Sequence, residues 1–304
     1  MSESASIDLA VIGAGPGGYA AAYLAADLGM KVTLIDPEVN PGGVCLYRGC
    51  IPSKALLHVA KLIGEARHAA NWGIEFGEPQ IDLARLRGFK ENVVQKLTAG
   101  TGQLAKQRKV QYVQGRAAFE SSNTLRISKT SGSEESLTFD RIIIATGSRP
   151  AIVPSLKIEN PRMMDSTAAL DLQDVPGTLL VVGGGYIGLE LGTVYAALGT
   201  KVSVVEMLPG LLPGADRDLV LPLHKRMERI FESIMLNTTV ASIKEEANGL
   251  RATFEGAETK ERERVFDRVL VSVGRKPNSE IPGLEKTGVK VGAKGFIEVN
   301  KQLQ

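Results

Sequence analysis

The chain contains two cysteines, and both fall in the run Gly42-Gly43-Val44-Cys45-Leu46-Tyr47-Arg48-Gly49-Cys50-Ile51-Pro52-Ser53-Lys54. Within a loop that short the two sulfurs can meet and form a disulfide. Pro52 suits the first turn of a helix, where its missing N–H costs nothing. Cys50 is therefore expected near a helix N-terminus, whose partial positive charge stabilises a thiolate. Lys54 follows Cys50 by one turn on the same face. A stabilised thiolate, a second thiol within reach and a nearby cation make a dithiol–disulfide couple. Two other readings stand beside this redox centre. Reduced, buried cysteines can act as small hydrophobes. A structural staple is the other, although such staples belong to short, cysteine-dense secreted scaffolds.

The elements that must hold this run repeat. Ile7 to Ile12 is an apolar strand ending at Gly13-Ala14-Gly15-Pro16-Gly17-Gly18, followed by a helical stretch to Leu28 and a second strand, Lys31 to Ile35, closed by Asp36. This is G-x-G-x-x-G in its full context. Gly13 makes the tight turn, Gly15 lets a pyrophosphate approach, and Gly18 lets helix and strand pack. The helix N-terminus faces the phosphates, and Asp36 is placed to accept from a ribose hydroxyl. The pattern returns at Leu179 to Gly188, with Gly183, Gly185 and Gly188 in the glycine positions and Tyr186 and Ile187 between them; a strand from Lys201 to Val205 then ends at Glu206. An acidic residue there favours NAD, because it would repel a phosphate on the ribose. Two dinucleotide sites with a dithiol between them suggest electron relay from NADH through flavin to a disulfide, or the reverse.

A length of 304 residues suggests about two domains. Lysine plus arginine exceed aspartate plus glutamate by 36 to 34, which gives no support for nucleic acid or a membrane surface as partner. Residues 1–6 read as a polar leader without the features of an export signal. No apolar stretch reaches bilayer length, so the expected location is the cytoplasm. Residues 55–107 read as two long helices. Val110 to Phe139 reads as short strands with turns at Gly115, Ser121-Ser122-Asn123 and Ser131-Gly132-Ser133. Each βαβ unit has a matching later strand, Arg141 to Ser148 and Arg268 to Asn278, whose glycine, Gly147 or Gly274, would sit at the carboxyl end of the sheet. No residues suggest a metal site. His58, His68 and His224 are read as surface or core-edge residues.

Together these segments resemble the flavoprotein disulfide reductases, and within them the dihydrolipoamide dehydrogenase family. The resemblance rests on the first glycine loop, GGVCLYRGCIPSKALL at Gly42 to Leu57, ATGS at Ala145 to Ser148, GGGYIGLE at Gly183 to Glu190, and the GRKPN run ending at Asn278. It implies an α/β fold of two Rossmann-like, three-layer dinucleotide-binding domains, the NAD domain (150–275) inserted in the FAD domain (1–149 and 276–304). It implies FAD and NAD as cofactors and oxidation of dihydrolipoyl groups through a redox-active Cys45–Cys50 disulfide. Cys45 would attack the substrate disulfide, and Cys50 would be the thiolate against the flavin. Lys54 would lie near the flavin, paired with Glu190, and Tyr186 would stack over it and move aside for nicotinamide. Pro37, Gly42, Gly43, Val44, Ala117, Thr146 and Gly147 would line the FAD site, and Val240 and Gly274 the NAD site.

The partners so implied are a lipoyl-bearing acyltransferase or carrier domain and a second copy of the chain. Relatives continue beyond the equivalent of Gln304 with a further FAD-contacting segment and a dimerisation domain, so a fragment without turnover is the expectation. Another NADH-dependent disulfide or mercuric reductase, and a non-catalytic dinucleotide-binding module, are the alternatives. Tyr47-Arg48 departs from the family pattern. Arg48 is expected to bring a cation close to the thiols, or else to face solvent.

Overall fold

In a computed structural model the described residues are 7–256 and 261–304; the polar leader lies outside them. Strand β1 (Ile7–Ile12), helix α1 (Pro16–Asp27) and β2 (Val32–Asp36) lead to helices α2 (Gly43–Arg48), α3 (Cys50–His68) and α4 (Leu83–Gln107). Strands β3 (Gln111–Ser121), β4 (Thr124–Lys129), β5 (Glu134–Ile144), β6 (Ser148–Pro150) and β7 (Met163–Met164) come next, then α5 (Ser166–Asp171). The second repeat is β8 (Thr178–Val182), α6 (Tyr186–Ala197) and β9 (Lys201–Val205), followed by α7 (Arg217–Ile230) and β10 (Ser233–Met235). Strands β11 (Thr239–Glu246), β12 (Gly249–Glu255), β13 (Glu263–Phe266), β14 (Arg268–Val271) and β15 (Arg275–Pro277) complete the order.

Two compact units emerge. One holds the chain through Cys50 with Val93–Arg149 and Arg275–Gln304; the other holds Ile51–Asn92 and Pro150–Gly274.

In the first unit β1 is buried along nearly its whole length. It pairs in parallel with β2 on one side and β5 on the other, and β2 pairs with β3. A strand covered on both faces is expected to be a continuous apolar run, as Ile7 to Ile12 is but for Asp8. The long strands β3 and β5 each serve two sheets. Gln111 to Gln114 of β3 pair with β2, and Gly115 onward with β4; β5 pairs first with β4 and then with β1. The ring of strands β1-β2-β3-β4-β5 therefore closes. Gly115 is not a turn, which corrects the sequence expectation. It lies where β3 passes from one partner to the other, and a Cβ there would come 2.7 Å from the Ser128 carbonyl oxygen. A strand glycine here marks close backbone approach. The expected helices across 55–107 and the turns after Ser121 and Ser131 are present.

The second unit has a five-stranded sheet in the order β10-β9-β8-β14-β7, parallel throughout, and a separate antiparallel sheet β11-β12-β13. Leu180, Val182 and Val269 form a core with Leu250, Phe254 and Phe266 of the small sheet. The other face of the parallel sheet buries Leu179, Val181 and Leu270 with Leu191, Val194 and Tyr195 of α6. Both units therefore present helices and a second sheet on opposite faces of a parallel sheet, the three-layer arrangement expected. Among the described residues no helix is long and apolar enough to cross a membrane.

Candidate functional site

The two glycine loops are built alike. Gly13 and Gly183 leave their strands at φ +94° and +106°, and a Cβ on either would strike the carbonyl oxygen of Ala145 or Ser272, at 2.3 and 2.7 Å. At Gly18 and Gly188 a Cβ would lie 1.7 and 2.4 Å from the Gly13 and Gly183 oxygens. The middle glycines are different: nothing lies within 4 Å of a Cβ at Gly185, and one atom, Gly43 Cα, lies 3.9 Å from a Cβ at Gly15. Both middle glycines are helix N-caps with no side-chain cap and no acidic residue in the first turn. Orphan N–H groups facing open space suit an anion, and the pyrophosphates of FAD and NAD fit these loops.

The acidic strand ends also match. Asp36 Oδ2 accepts from the Ala14 N–H at 2.7 Å, and Oδ1 from the Glu38 N–H at 3.0 Å. Glu206 Oε2 accepts from Gly184 N–H at 2.7 Å, and Oε1 from Leu208 N–H at 2.9 Å. Both carboxylates are buried. Each oxygen keeps a lone pair for a ribose hydroxyl, so the backbone bonds orient the carboxylates rather than consume them.

The thiol run is stitched to the first loop. Gly42 N–H donates to the Ala14 carbonyl at 2.7 Å. Gly43 has φ +55°, and a Cβ there would meet Gly15 Cα at 2.5 Å. The run is helical rather than a loop, a second correction: α2 carries Val44 and Cys45, Gly49 breaks it, and Cys50 opens α3. Gly49 is required because a Cβ would lie 2.9 Å from the Val44 oxygen. Cys45 is half-buried and Cys50 exposed, and Cys50 is the one that stands at the α3 N-terminus.

The Arg48 guanidinium pairs with Glu38 on the surface, and the neighbouring Tyr47 hydroxyl bridges Asn40 N–H and C=O at 3.1 Å. Tyr19 on α1, which no sequence motif singles out, feels both cysteines. Burial pushes its phenol up, and the charges of Cys45 and then Cys50 add to the push.

In the second unit Lys54 Nζ lies 2.7 and 2.8 Å from the two Glu190 oxygens. The Ser53 hydroxyl lies 3.4 Å from Glu190 Oε2. Lys54 and Glu190, 136 residues apart, are thus brought together as expected. Tyr186 opens α6 with 62% of its surface exposed. Val240 is half-buried beside a bulge of β11. Gly274, at φ +126°, accepts from the Ala151 N–H at 3.0 Å.

Around the ATGS run of the first unit, Thr146 Oγ1 donates to the Asn278 carbonyl at 2.7 Å and Asn278 Nδ2 to the Thr146 carbonyl at 2.9 Å. Thr146, Gly147 and Asn278 line a cavity of about 150 Å³ with Phe296 and Ile297. Ala117 is half-buried in β3, and the Pro37 carbonyl accepts from Gln114 at 3.1 Å. Among the described residues no three His, Cys, Asp or Glu side chains cluster as metal ligands.

Comparison with known proteins agrees with this geometry. Dihydrolipoyl dehydrogenase of Haemophilus influenzae is 47% identical over 304 residues, covering 100% of this chain and 63% of that protein. The Vibrio cholerae dihydrolipoyl dehydrogenase is 45% identical over 100% of this chain and 64% of its own length. The chain thus spans just under two thirds of the curated relatives it matches. Among solved structures, the Cu(II) complex of the HOCl-induced flavoprotein disulfide reductase RclA from Escherichia coli superposes with a TM-score of 0.83 at 27% identity, covering 99% of this chain and 64% of that one. The family model described as pyridine nucleotide-disulphide oxidoreductase matches residues 7–304, and the chain belongs to that family.

Proposed function

We propose that this chain is the dinucleotide-binding part of a dihydrolipoyl dehydrogenase. The whole protein would act in the cytoplasm, as a homodimer, on a lipoyl-bearing acyltransferase or carrier domain. The observation that carries the reading is the attachment of the Cys45–Cys50 run to the first glycine loop, through the Gly42–Ala14 bond and the Gly43–Gly15 approach. Residues 1–149 and 276–304 are assigned to FAD and 150–275 to NAD.

Gly13, Gly15, Gly18 and Asp36 would hold the FAD pyrophosphate and ribose, with Pro37, Gly42, Gly43, Val44, Cys45, Lys54, Ala117, Thr146 and Gly147 lining that site. Gly183, Gly185, Ile187, Gly188, Glu206, Val240 and Gly274 would hold NAD, with Tyr186 at the entrance. When bound, the flavin supplies a two-electron path from the dithiol to NAD. The protein's own chemistry is thiol–disulfide exchange. A dihydrolipoyl thiolate attacks Cys45 Sγ, breaking the Cys45–Cys50 bond and releasing Cys50 as a thiolate held by the α3 N-terminus. The second substrate thiol attacks the mixed disulfide, forms the lipoyl disulfide and expels Cys45, which takes one of the two substrate protons; the other leaves to solvent. Lys54, fixed by Glu190, keeps a positive charge one turn from Cys50.

The test uses the full-length protein with dihydrolipoamide and NAD. NADH formation that disappears in Cys50→Ser supports the reading; a flavin-loaded protein that forms none overturns it. The chain itself is checked by adding FAD and a dithiol. A long-wavelength charge-transfer band, lost in Cys50→Ser, is expected, whereas its absence favours the non-catalytic binding module.

A further inference from the structure

Glu206 is held by a loop whose own conformation is unfavourable. Residues 207–215 run from the end of β9 to the start of α7. Within them Leu212 sits at φ +49°, the left-handed region that a γ-branched side chain rarely enters. Such a residue persists only where its surroundings over-determine it, and these places concentrate at ligand clamps.

The surroundings here are specific. Leu212 N–H donates to the Gly184 carbonyl at 2.9 Å. Leu211 is fully buried, its Cδ2 lying 2.7 Å from where a Gly184 Cβ would be, beside the Glu206 carboxylate. The loop's Leu208 N–H is one of the two donors that orient that carboxylate. On the far side of the loop stands Arg217, the first residue of α7. Its Nη1 donates to the Leu211 carbonyl at 3.0 Å, Nη2 to the Leu212 and Ala215 carbonyls at 2.6 and 2.7 Å, and Nε to Ala215 at 3.0 Å. One planar guanidinium thus collects three carbonyls of a single loop, which a lysine ammonium cannot do in that geometry.

We propose that Arg217 is a positioning residue for nicotinamide dinucleotide specificity: it staples the 207–215 loop closed, which fixes Glu206 for the unphosphorylated adenosine ribose. Arg217 itself need not touch the ligand. The inference rests on the assignment of NAD to the second unit. The required chain of contacts is Arg217 to Leu211 and Leu212, these to Gly184, and the loop's Leu208 N–H to Glu206.

The experiment titrates the FAD-loaded chain with NADH, ADP-ribose and 2′-phospho-ADP-ribose, comparing the parent with Arg217→Met and Arg217→Lys. A parent that binds no NADH overturns the underlying assignment. Given parental binding, Arg217→Met is expected to weaken ADP-ribose about tenfold, or about 1.4 kcal/mol. It is expected to reduce the preference for ADP-ribose over its 2′-phosphate by a factor of about five, because a loosened carboxylate discriminates less. Arg217→Lys should recover part of both losses. FAD retention should be unchanged in both variants. ADP-ribose affinity within about twofold of the parent in Arg217→Met would overturn the inference. So would an unchanged preference ratio, or loss of FAD alongside NADH, since the residue would then support folding rather than the loop.

Discussion

The two units solve one problem with the same parts and diverge at one point. Each has a strand, a glycine loop whose middle glycine leaves a helix N-terminus open, and a buried carboxylate tied to the loop's second residue. They differ in the segment beyond the acidic residue. In the first unit that segment turns through Gly42 and Gly43 onto the glycine loop and delivers Cys45 and Cys50. In the second the equivalent segment packs Leu211 over Gly184 and is held by Arg217. The repeated part fits a dinucleotide; the segment after its second strand decides whether the unit also carries a cysteine pair. In both, that segment approaches the loop so closely that a glycine is required, Gly43 in one and Gly184 in the other.

The largest test of this division removes the chemistry from one unit alone. Cys50→Ser should abolish the charge-transfer band and all electron transfer to disulfide, yet leave NADH affinity within about twofold of the parent. A parallel fall in NADH affinity would show that the thiol segment also supports the second unit. Glycine substitutions come next. Gly18→Ala places a methyl 1.7 Å from the Gly13 oxygen, and Gly188→Ala one 2.4 Å from the Gly183 oxygen. Backbone must move in each, at a cost of about 1–3 kcal/mol. Gly18→Ala should release FAD and Gly188→Ala should lose NADH, each by about 100-fold in affinity. Retention of FAD by Gly18→Ala would break the equivalence of the loops.

A smaller effect probes the carboxylates. An amide has one acceptor oxygen, whereas Asp36 and Glu206 each accept from two backbone N–H groups on opposite oxygens. Asp36→Asn and Glu206→Gln each turn an NH₂ group toward an N–H. Each is expected to cost about tenfold in affinity for its own dinucleotide, read by equilibrium titration. A markedly unequal loss would mean that the two carboxylates are not doing the same job.

The repeated parts were legible in the sequence because their physics is local. A positive φ, an open N-cap and an acidic strand end are fixed by neighbouring residues, and both units conform. Lys54 and Glu190 were paired by resemblance and meet, though nothing in their local sequence requires it. The features that escaped depend on neighbours distant in sequence or on direction. Gly115 looks like a turn because glycine breaks strands, but its smallness serves the close approach of the paired strand β4. Arg48 sits between the cysteines in sequence, and its long side chain finds a partner, Glu38, ten residues upstream. Tyr19 feels the charges of both cysteines, since Gly43 brings the thiol run onto the loop that precedes α1. Arg217 looks like an ordinary helix-start arginine until the strained Leu212 beside it is seen.

The smallest effects should come from two buried tyrosines, one per unit, whose phenols donate to backbone carbonyls: Tyr23 to Thr101 at 2.7 Å and Tyr195 to Ala169 at 2.9 Å. Burial pushes the Tyr23 phenol up to about 12, Tyr19 adding to the rise and Arg108 opposing it. Burial also pushes Tyr195 up, with Arg268 opposing and Asp174 and Asp171 reinforcing. Both folded values are raised above the unfolded value of 10.0. The contribution is therefore fully present below pH 10 and is lost as pH rises through the folded value, because the unfolded phenol ionises first. Tyr23→Phe and Tyr195→Phe should each cost about 1 kcal/mol near neutrality, the usual net worth of one hydrogen bond. Each should also flatten the decline of stability above pH 10, measured by denaturant unfolding across that range. For Tyr23 the decline it removes should be confined to pH 10–12, whereas for Tyr195, one per cent exposed, it should continue above that window. If both variants removed the same slope over the same range, burial depth would not be what distinguishes the two units' tyrosines.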